Sequence, residues 1–210
     1  KRSPLAGRWC LAPARRSAPR RGRVHAGRLV GHDGPVTHIR EAIARDIPGV
    51  VEVTLVANQE FKQVLGPVYP RYQANLMAVE ERLAEATVLV AEAAGTIVGT
   101  ATLYPDAERA GFAWPPGCAL VRVMAVDPAQ RGRGTARALM RDCASRAWAA
   151  GARELVLQTG GFMTAAIGLY ESLGFRRDPD FDGSASRHYG VRGAEEVTLV
   201  AYRQHLGGDA

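Results

Sequence analysis

Hydrophobic and polar residues first alternate in the segment VTHIREA, at 36–42, with the two-residue period of a strand that buries one face. The next segment, DIPGVVEVTLVAN at 46–58, has a helical pattern, with Asp46 at the N-cap position and Pro48 in the first turn. In YQANLMAVEERLAEA, at 72–86, the apolar residues again fall on one helical face. The first part of the chain therefore predicts a strand followed by helices.

Two β-rich runs follow in TVLVAEAAGTIVGTATLY, at 87–104, and predict an antiparallel hairpin that turns at Gly95. Residues 105–117 contain three prolines and two glycines and are predicted to form a loop. The run ALVRVMAV, at 119–126, is apolar at every position except Arg122. Such a run is typical of a central strand with both faces covered.

The pattern after this strand predicts a helix, a second buried strand (ELVLQT, 154–159) and a short helix that ends at Gly174. A strand, a helix and a strand in this order form a parallel, right-handed crossover. EEVTLVAYRQHL, at 195–206, predicts a closing strand. The predicted fold class is α/β with a mixed sheet. The helix after the central strand is expected to bury Ala136, Leu139, Met140, Cys143 and Ala147.

Length and charge indicate how this fold is placed in the chain. The 210 residues suit one domain, and no segment approaches the roughly 18 uninterrupted apolar residues of a membrane span. Residues 1–32 hold nine basic residues and no acidic one, which leaves 18 basic against 21 acidic residues, a net charge of −3, in the rest. We expect a basic, disordered tail at 1–33, a single domain at 34–207 and a short C-terminal end at 208–210.

The basic start has two other interpretations: a transit peptide, or an arm that contacts nucleic acid or an anionic membrane. Three prolines interrupt any amphipathic helix there, and no aromatic residues are interleaved with the arginines in the way that nucleic-acid binding favours. The three cysteines show no CxxC spacing, which favours a reducing, cytoplasmic setting, and the five histidines have no metal-ligand spacing. We therefore expect no metal site and neither a membrane nor a nucleic acid as partner.

The most informative local pattern is a glycine turn, Arg131-Gly132-Arg133-Gly134-Thr135-Ala136, between the central strand and the helix. The first amides of a helix are unpaired, and two glycines allow an anion to approach them closely. Arg131, Arg133 and Arg137 add positive charge. The alternative is a tight turn with solvated arginines. The nucleotide signatures GxxxxGK[ST] and GxGxxG are both absent, which argues against ATP and NAD as the anion.

Two segments together resemble the GNAT superfamily of acyl-CoA-dependent N-acyltransferases. VMAVDPAQRGRGTARALM is similar to the R-x-x-G-x-[GA] acyl-CoA motif, and AAIGLYESLGF is similar to the A-x-x-L-Y-x-x-x-G-F segment of that family. Their order and separation also agree, and the resemblance extends from about Val36 to Leu206. It implies a mostly antiparallel central sheet with a splayed parallel strand pair and flanking helices.

The resemblance implies a transfer of acetyl from acetyl-CoA to a primary amine by direct attack. The amides from Gly132 to Ala136 would hold the CoA pyrophosphate, with help from Arg137. The strand edge at Met124, Ala125 and Val126 would bind the pantetheine arm. Tyr170 matches the tyrosine that protonates the departing thiolate in many members. Homodimers are frequent in the family, and the resemblance leaves a homodimer open here.

The chain departs from the family pattern at two positions, where Leu120 replaces a glutamate that often acts as general base and Met163 replaces a frequent asparagine. Asp106, Glu108 and His188 are then candidates for the base, in loops expected to border the acceptor site. The missing glutamate also motivates an alternative function, a CoA-binding module without catalysis. The acceptor amine itself is not specified by the sequence.

Overall fold

The structure, a computed structural model, describes residues 37–192 and 196–207. The predicted basic tail at 1–33 and the C-terminal end at 208–210 lie outside these residues. Among the helices of the described ranges, none combines the length and the apolar character of a membrane-spanning helix.

The described residues form eight strands and seven α-helices, and the longer of these follow the order that the hydrophobic pattern predicts. The strands are β1 (His38–Glu41), β2 (Thr87–Ala93), β3 (Thr96–Tyr104), β4 (Cys118–Val126), β5 (Glu154–Gly160), β6 (Arg176–Arg177), β7 (Gly183–Ser184) and β8 (Thr198–His205). The helices are α1 (Ile47–Asn58), α2 (Lys62–Leu65), α3 (Tyr69–Met77), α4 (Val79–Glu85), α5 (Thr135–Ala149), α6 (Thr164–Ser172) and α7 (Ala185–His188).

One sheet joins the strands in the order β1-β2-β3-β4-β5-β8-β6, and β7 pairs with β8. All these pairs are antiparallel except β4–β5, which is parallel. Between β2 and β3, Ala94 and Gly95 have φ angles of 50° and 77°, as a tight type I′ hairpin requires. The predicted hairpin, the parallel pairing of β4 with β5 and the mixed α/β class are thus confirmed.

The sheet is covered on both faces. On one face α5 contributes Leu139, Met140 and Cys143, which pack against alternate residues of the strands such as Leu89 and Val121. On the other face, α1 and α4 cover the intervening residues of β2. Burial of both faces explains why β4 is a continuous apolar run.

Gly99 on β3 allows α5 to approach the sheet closely. A Cβ atom at this position would lie 3.2 Å from three atoms: the Ala125 carbonyl oxygen, Leu139 Cδ1 and Thr135 Cγ2. Thr135 is only 4% exposed and occupies the buried position that the pattern assigns to Ala136, which is partly exposed. The first turn of α5 is therefore held directly against β3 and β4.

The predicted helix at 72–86 is two helices, because the chain breaks at Ala78, where ψ is 55°. Arg82 explains how the break is tolerated: its guanidinium donates hydrogen bonds of 2.7 Å and 2.9 Å to the carbonyls of Asn75 and Leu76. The Asn75 carbonyl also accepts from the Ala78 N–H at 3.4 Å, whereas no backbone N–H of the described residues donates to the Leu76 carbonyl. The single-helix prediction is wrong at this point. Asp46 is at the N-cap position of α1 as predicted, but its carboxylate binds Arg40 and the Ile43 N–H rather than the helix.

Candidate active site

The parallel strands β4 and β5 separate part of the way along their length. They pair at Cys118–Glu154, Ala119–Leu155 and Leu120–Val156 and then diverge. Val123 has a φ of 50°, and the register of β4 with β3 skips Val123 and Met124, which together face Ala101. This arrangement is a β-bulge, which bends a strand locally. The edge of β4 beyond Leu120 is therefore open to a ligand.

A cavity of about 650 Å³ lies at this opening. Its wall includes β4 from Leu120 to Val126, the glycine turn, the start of α5, and Tyr170 of α6. The separate sequence motifs therefore meet in one cavity. Phe112 and Trp114, from the predicted loop at 105–117, also line this cavity, as do His188 and Tyr189.

The glycine turn presents a row of backbone donors to the cavity. Within the described residues, no N–H group from Gly132 to Arg137 donates to a protein acceptor. Gly132 and Gly134 have φ angles of 77° and 82°, and a Cβ atom built on either meets no atom within 4 Å. The positive end of the α5 dipole adds to these donors. The turn therefore fits a phosphate or pyrophosphate group, as the anion-site interpretation requires.

The three arginines near the turn have different surroundings. Arg131 pairs with Glu60 at 2.7 Å and donates to the Ala57 carbonyl, so its charge is shared with α1 and the segment after it. Arg137 donates to Ser172 Oγ at 2.8 Å on α6 and borders the cavity. Arg133 is exposed. Arg131 and Arg137 both border the cavity, and Arg137, which has no carboxylate partner among the described residues, is the better placed to contact an anion held by the amides.

Tyr170 is 6% exposed and borders the cavity from α6. The rings of Phe175 and Tyr202 lie at centroid distances of 5.8 Å and 6.4 Å. Burial, and secondarily Cys143, raises the pKa of the phenol well above its usual value. No hydrogen bond joins its hydroxyl group to another residue of 37–192 or 196–207. A phenol that stays protonated in this way is suited to donate a proton rather than to accept one.

The three candidate bases differ in their position relative to the cavity. Asp106 and Glu108 do not line the cavity, and Asp106 Oδ1 accepts from the Arg109 N–H at 3.0 Å. His188 does line it, but burial, together with the charge of Arg122, lowers the pKa of its imidazole to about 4. Leu120 is buried in the wall, where the family often has a glutamate. The described wall thus offers no strong base at these positions.

Several polar residues of the wall were not proposed from the sequence, and Arg122, Tyr72 and Asn58 are among them. Arg122 lines the cavity from β4. Tyr72 and Asn58 also line it, and the hydroxyl group of Tyr72 donates a hydrogen bond to Asn58 Oδ1. A single arginine in an otherwise apolar strand is a sequence signal that points to Arg122. Tyr72 and Asn58 have no comparable signal, because they resemble ordinary residues of amphipathic helices.

The comparisons with known proteins agree with this geometry. The model of the acetyltransferase (GNAT) family matches residues 55–175. An "IAA acetyltransferase" of Azospirillum brasilense is 32% identical over 135 residues, which are 63% of this chain and 82% of that protein. The "N-alpha-acetyltransferase RimI" of Mycobacterium tuberculosis is 37% identical over 109 residues, 52% of this chain and 61% of that one.

Among solved structures, a putative acetyltransferase of Salmonella typhimurium, described with its cofactor acetyl-CoA, superimposes with a TM-score of 0.55 at 20% identity. The match covers 83% of this chain and 96% of that chain. At 20% identity this similarity supports the fold alone. The assignment of the chain to a family rests on the match to the family model. The chain belongs to the GNAT family of N-acetyltransferases.

Proposed function

We propose that the protein transfers an acetyl group from acetyl-CoA to a primary amine by direct attack of the amine on the thioester, with Tyr170 as general acid. The observation that carries this proposal is that one cavity contains both the unpaired amides of the glycine turn and the side chain of Tyr170. Acetyl-CoA supplies the activated acetyl group, and the protein supplies binding, orientation and a proton.

The donor is held at two places along the cavity. The N–H groups from Gly132 to Ala136 and the side chain of Arg137 hold the pyrophosphate. The edge of β4 at Met124, Ala125 and Val126 binds the pantetheine arm through its backbone. The separation of β4 from β5 after Leu120 supports this role, because it leaves the edge of β4 that faces β5 without a strand partner.

Charge that develops on the thioester oxygen during attack needs a hydrogen-bond donor. A backbone N–H of β4 between Met124 and Val126 is proposed for this role, since fixed donors in a cavity stabilise such charge without reorganising. The sulfur that leaves needs a proton. Tyr170 donates it as the C–S bond breaks, and the proton that the attacking nitrogen loses on becoming an amide restores the phenol through solvent. The raised pKa of Tyr170 keeps the phenol protonated before this step. General acids of this kind typically contribute about 10²–10⁴-fold in rate.

The amine must be neutral when it attacks. A lysine-like amine with a pKa of about 10.4 is neutral to only about one part in 10³ at pH 7, which costs roughly 4 kcal/mol, whereas an α-amine with a pKa of about 8 costs only about 1 kcal/mol. His188 is a weak base, and Leu120 takes the place of the family's glutamate. We therefore propose that the acceptor loses its proton to water, directly or through a water chain.

This account predicts the pH dependence of kcat/KM. With a primary alkylamine of pKa about 10, kcat/KM should rise about tenfold per pH unit from pH 6 to pH 9, because the neutral amine fraction does so. The raised pKa of Tyr170 keeps the acid protonated, so no decline should appear below about pH 10, the usual tyrosine value. Initial rates of CoA release give the profile. A plateau that begins between pH 6 and pH 8 would instead reveal an enzymatic base.

The proposed function is tested by mass spectrometry of a panel of primary amines incubated with acetyl-CoA and the enzyme. N-acetylated product that forms in step with CoA release supports it. Tight acetyl-CoA binding without product from any amine would favour the non-catalytic module that the missing glutamate suggests. The relatives are named for different acceptors, IAA and N-alpha-amines among them, so the acceptor has to be inferred from the site of this chain.

A further inference from the structure

The wall of the cavity includes an arginine that the reaction described above does not use. Arg122 lies on β4 two residues after Leu120, and side chains two apart on a strand share one face. It is therefore on the side of the sheet where the family's glutamate would stand. Arg122 lies in the middle of β4, and by strand length it is at most about 13 Å from Val126, the end of the strand that leads into the glycine turn.

The guanidinium of Arg122 is held in a defined position. Its Cζ lies 5.0 Å from the centre of the Phe112 ring, and its Nη2 lies 3.3 Å from His188 Nε2. An arginine only donates hydrogen bonds, so the Nε2 of His188 is the acceptor and the ring proton is on Nδ1. The lowered pKa of His188 keeps this imidazole neutral at pH 7. His188 thus helps to orient the guanidinium through a hydrogen bond from a charged donor to a neutral acceptor.

Aromatic side chains surround this charge. Tyr72 and Tyr189 meet edge to face at 5.8 Å, and His188 packs on Tyr189 at 4.7 Å. Together with Phe112 and Trp114 they form apolar walls of the cavity. We call Arg122 and these five aromatic residues the Arg122 end of the cavity. It combines a fixed positive charge with space for an apolar body, a common pattern in small-molecule sites.

A planar guanidinium has two parallel N–H donors that match the two oxygens of a carboxylate. We propose that Arg122 binds a carboxylate of the acceptor, and that the acceptor is therefore a small amine that also carries a carboxylate, as an amino acid does. This inference rests on the proposed function for the amine. The binding of the carboxylate by Arg122 does not depend on the proposed function, because the carboxylate binds whether or not the amine reacts.

The first experiment measures binding of a carboxylate without an amine. 3-Phenylpropanoate is titrated into the enzyme saturated with CoA, and its uncharged amide, 3-phenylpropanamide, is the matched ligand. The proposal predicts that the carboxylate binds and that Arg122→Gln weakens it about 30-fold or more, the usual scale for removing one partner of a buried charge pair. Arg122→Lys keeps the charge but loses the planar fork and should lie between the two. Equal binding of carboxylate and amide, or no binding of either, would overturn it.

The second experiment compares rates for pairs of acceptors that differ only in the carboxylate: phenylalanine with phenethylamine, tyrosine with tyramine, and tryptophan with tryptamine. The wild type should prefer the amino acid, and Arg122→Gln should remove the preference while the rate with the plain amine changes little. Acetyl-CoA affinity and the circular dichroism spectrum of each variant are measured as controls for folding. A lower acetyl-CoA affinity in a folded Arg122→Gln variant would assign Arg122 to the donor and overturn the proposal.

The outcomes distinguish a failure of the carboxylate site from a failure of the proposed transfer reaction. If plain amines are acetylated as fast as amino acids, the transferase function stands and the carboxylate site is wrong. If 3-phenylpropanoate binds through Arg122 but none of the amines or amino acids gives product, the carboxylate site stands and the proposed transfer fails.

Discussion

Replacing Tyr170 by phenylalanine is expected to lower kcat about 10²–10⁴-fold, the usual contribution of a general acid. The thiolate of CoA then leaves without a proton from the protein. The affinity for acetyl-CoA should not change, because the backbone contacts of the glycine turn and β4 do not involve the phenol. Steady-state rates of CoA release and calorimetric titration with acetyl-CoA measure the two quantities separately.

Tyr202→Phe is the matched control for this substitution. Tyr202 is also buried, its ring is 6.4 Å from that of Tyr170, and its hydroxyl group donates to Glu171 at 3.1 Å. It does not line the cavity. Loss of this second hydroxyl group should leave kcat close to that of the wild type. Equal losses in both variants would point to a packing effect, and an undiminished kcat in Tyr170→Phe would remove Tyr170 from the mechanism.

Gly134→Asp is expected to weaken acetyl-CoA binding about 100-fold or more, since a like charge placed against a bound anion costs several kcal/mol. The added Cβ points into open space above the unpaired amides, which is the space that the pyrophosphate needs. The new carboxylate also accepts hydrogen bonds from the backbone N–H groups that would otherwise bind the pyrophosphate. Calorimetric titration with acetyl-CoA measures the change.

Two variants distinguish charge from backbone strain in this experiment. Gly134→Asn has nearly the same size and the same tolerance of the left-handed conformation but no charge, so its loss of affinity should be clearly smaller. Gly151→Asp places aspartate at a glycine with φ of 89° and open surroundings just after the C-terminal end of α5. It should bind acetyl-CoA as the wild type does. If Gly134→Asn and Gly134→Asp lose affinity equally, the amides are not a pyrophosphate site.

Local sequence patterns were sufficient for the parts of the molecule that depend on contiguous residues. The glycine turn lies within six residues, and the segment around Tyr170 within ten, so their spacing is visible in the sequence. The alternation in VTHIREA predicted the strand β1 at the edge of the sheet, and the continuous apolar run of β4 reflects the helices on both faces of the sheet. These patterns therefore predicted the elements and the fold class.

The features that were missed depend on residues far apart in the chain or on backbone geometry without a residue signature. His188 contacts Arg122 across 66 positions, and Arg131 pairs with Glu60 across 71. Val123 adopts a positive φ although valine disfavours it, so nothing in the sequence marks the bulge. The break at Ala78 is likewise invisible, because alanine favours a helix and the compensating Arg82 lies in the next one.

The central claim is that acetyl-CoA binds at the glycine turn and along β4, and backbone amide chemical shifts test it most directly. Acetyl-CoA is titrated into isotope-labelled protein while the amide resonances are followed. We predict that the largest shifts fall on Gly132 to Arg137 and on Met124 to Val126, with little change in β1 or β8. Shifts confined to other parts of the chain, or no shifts at saturating acetyl-CoA, would contradict the account.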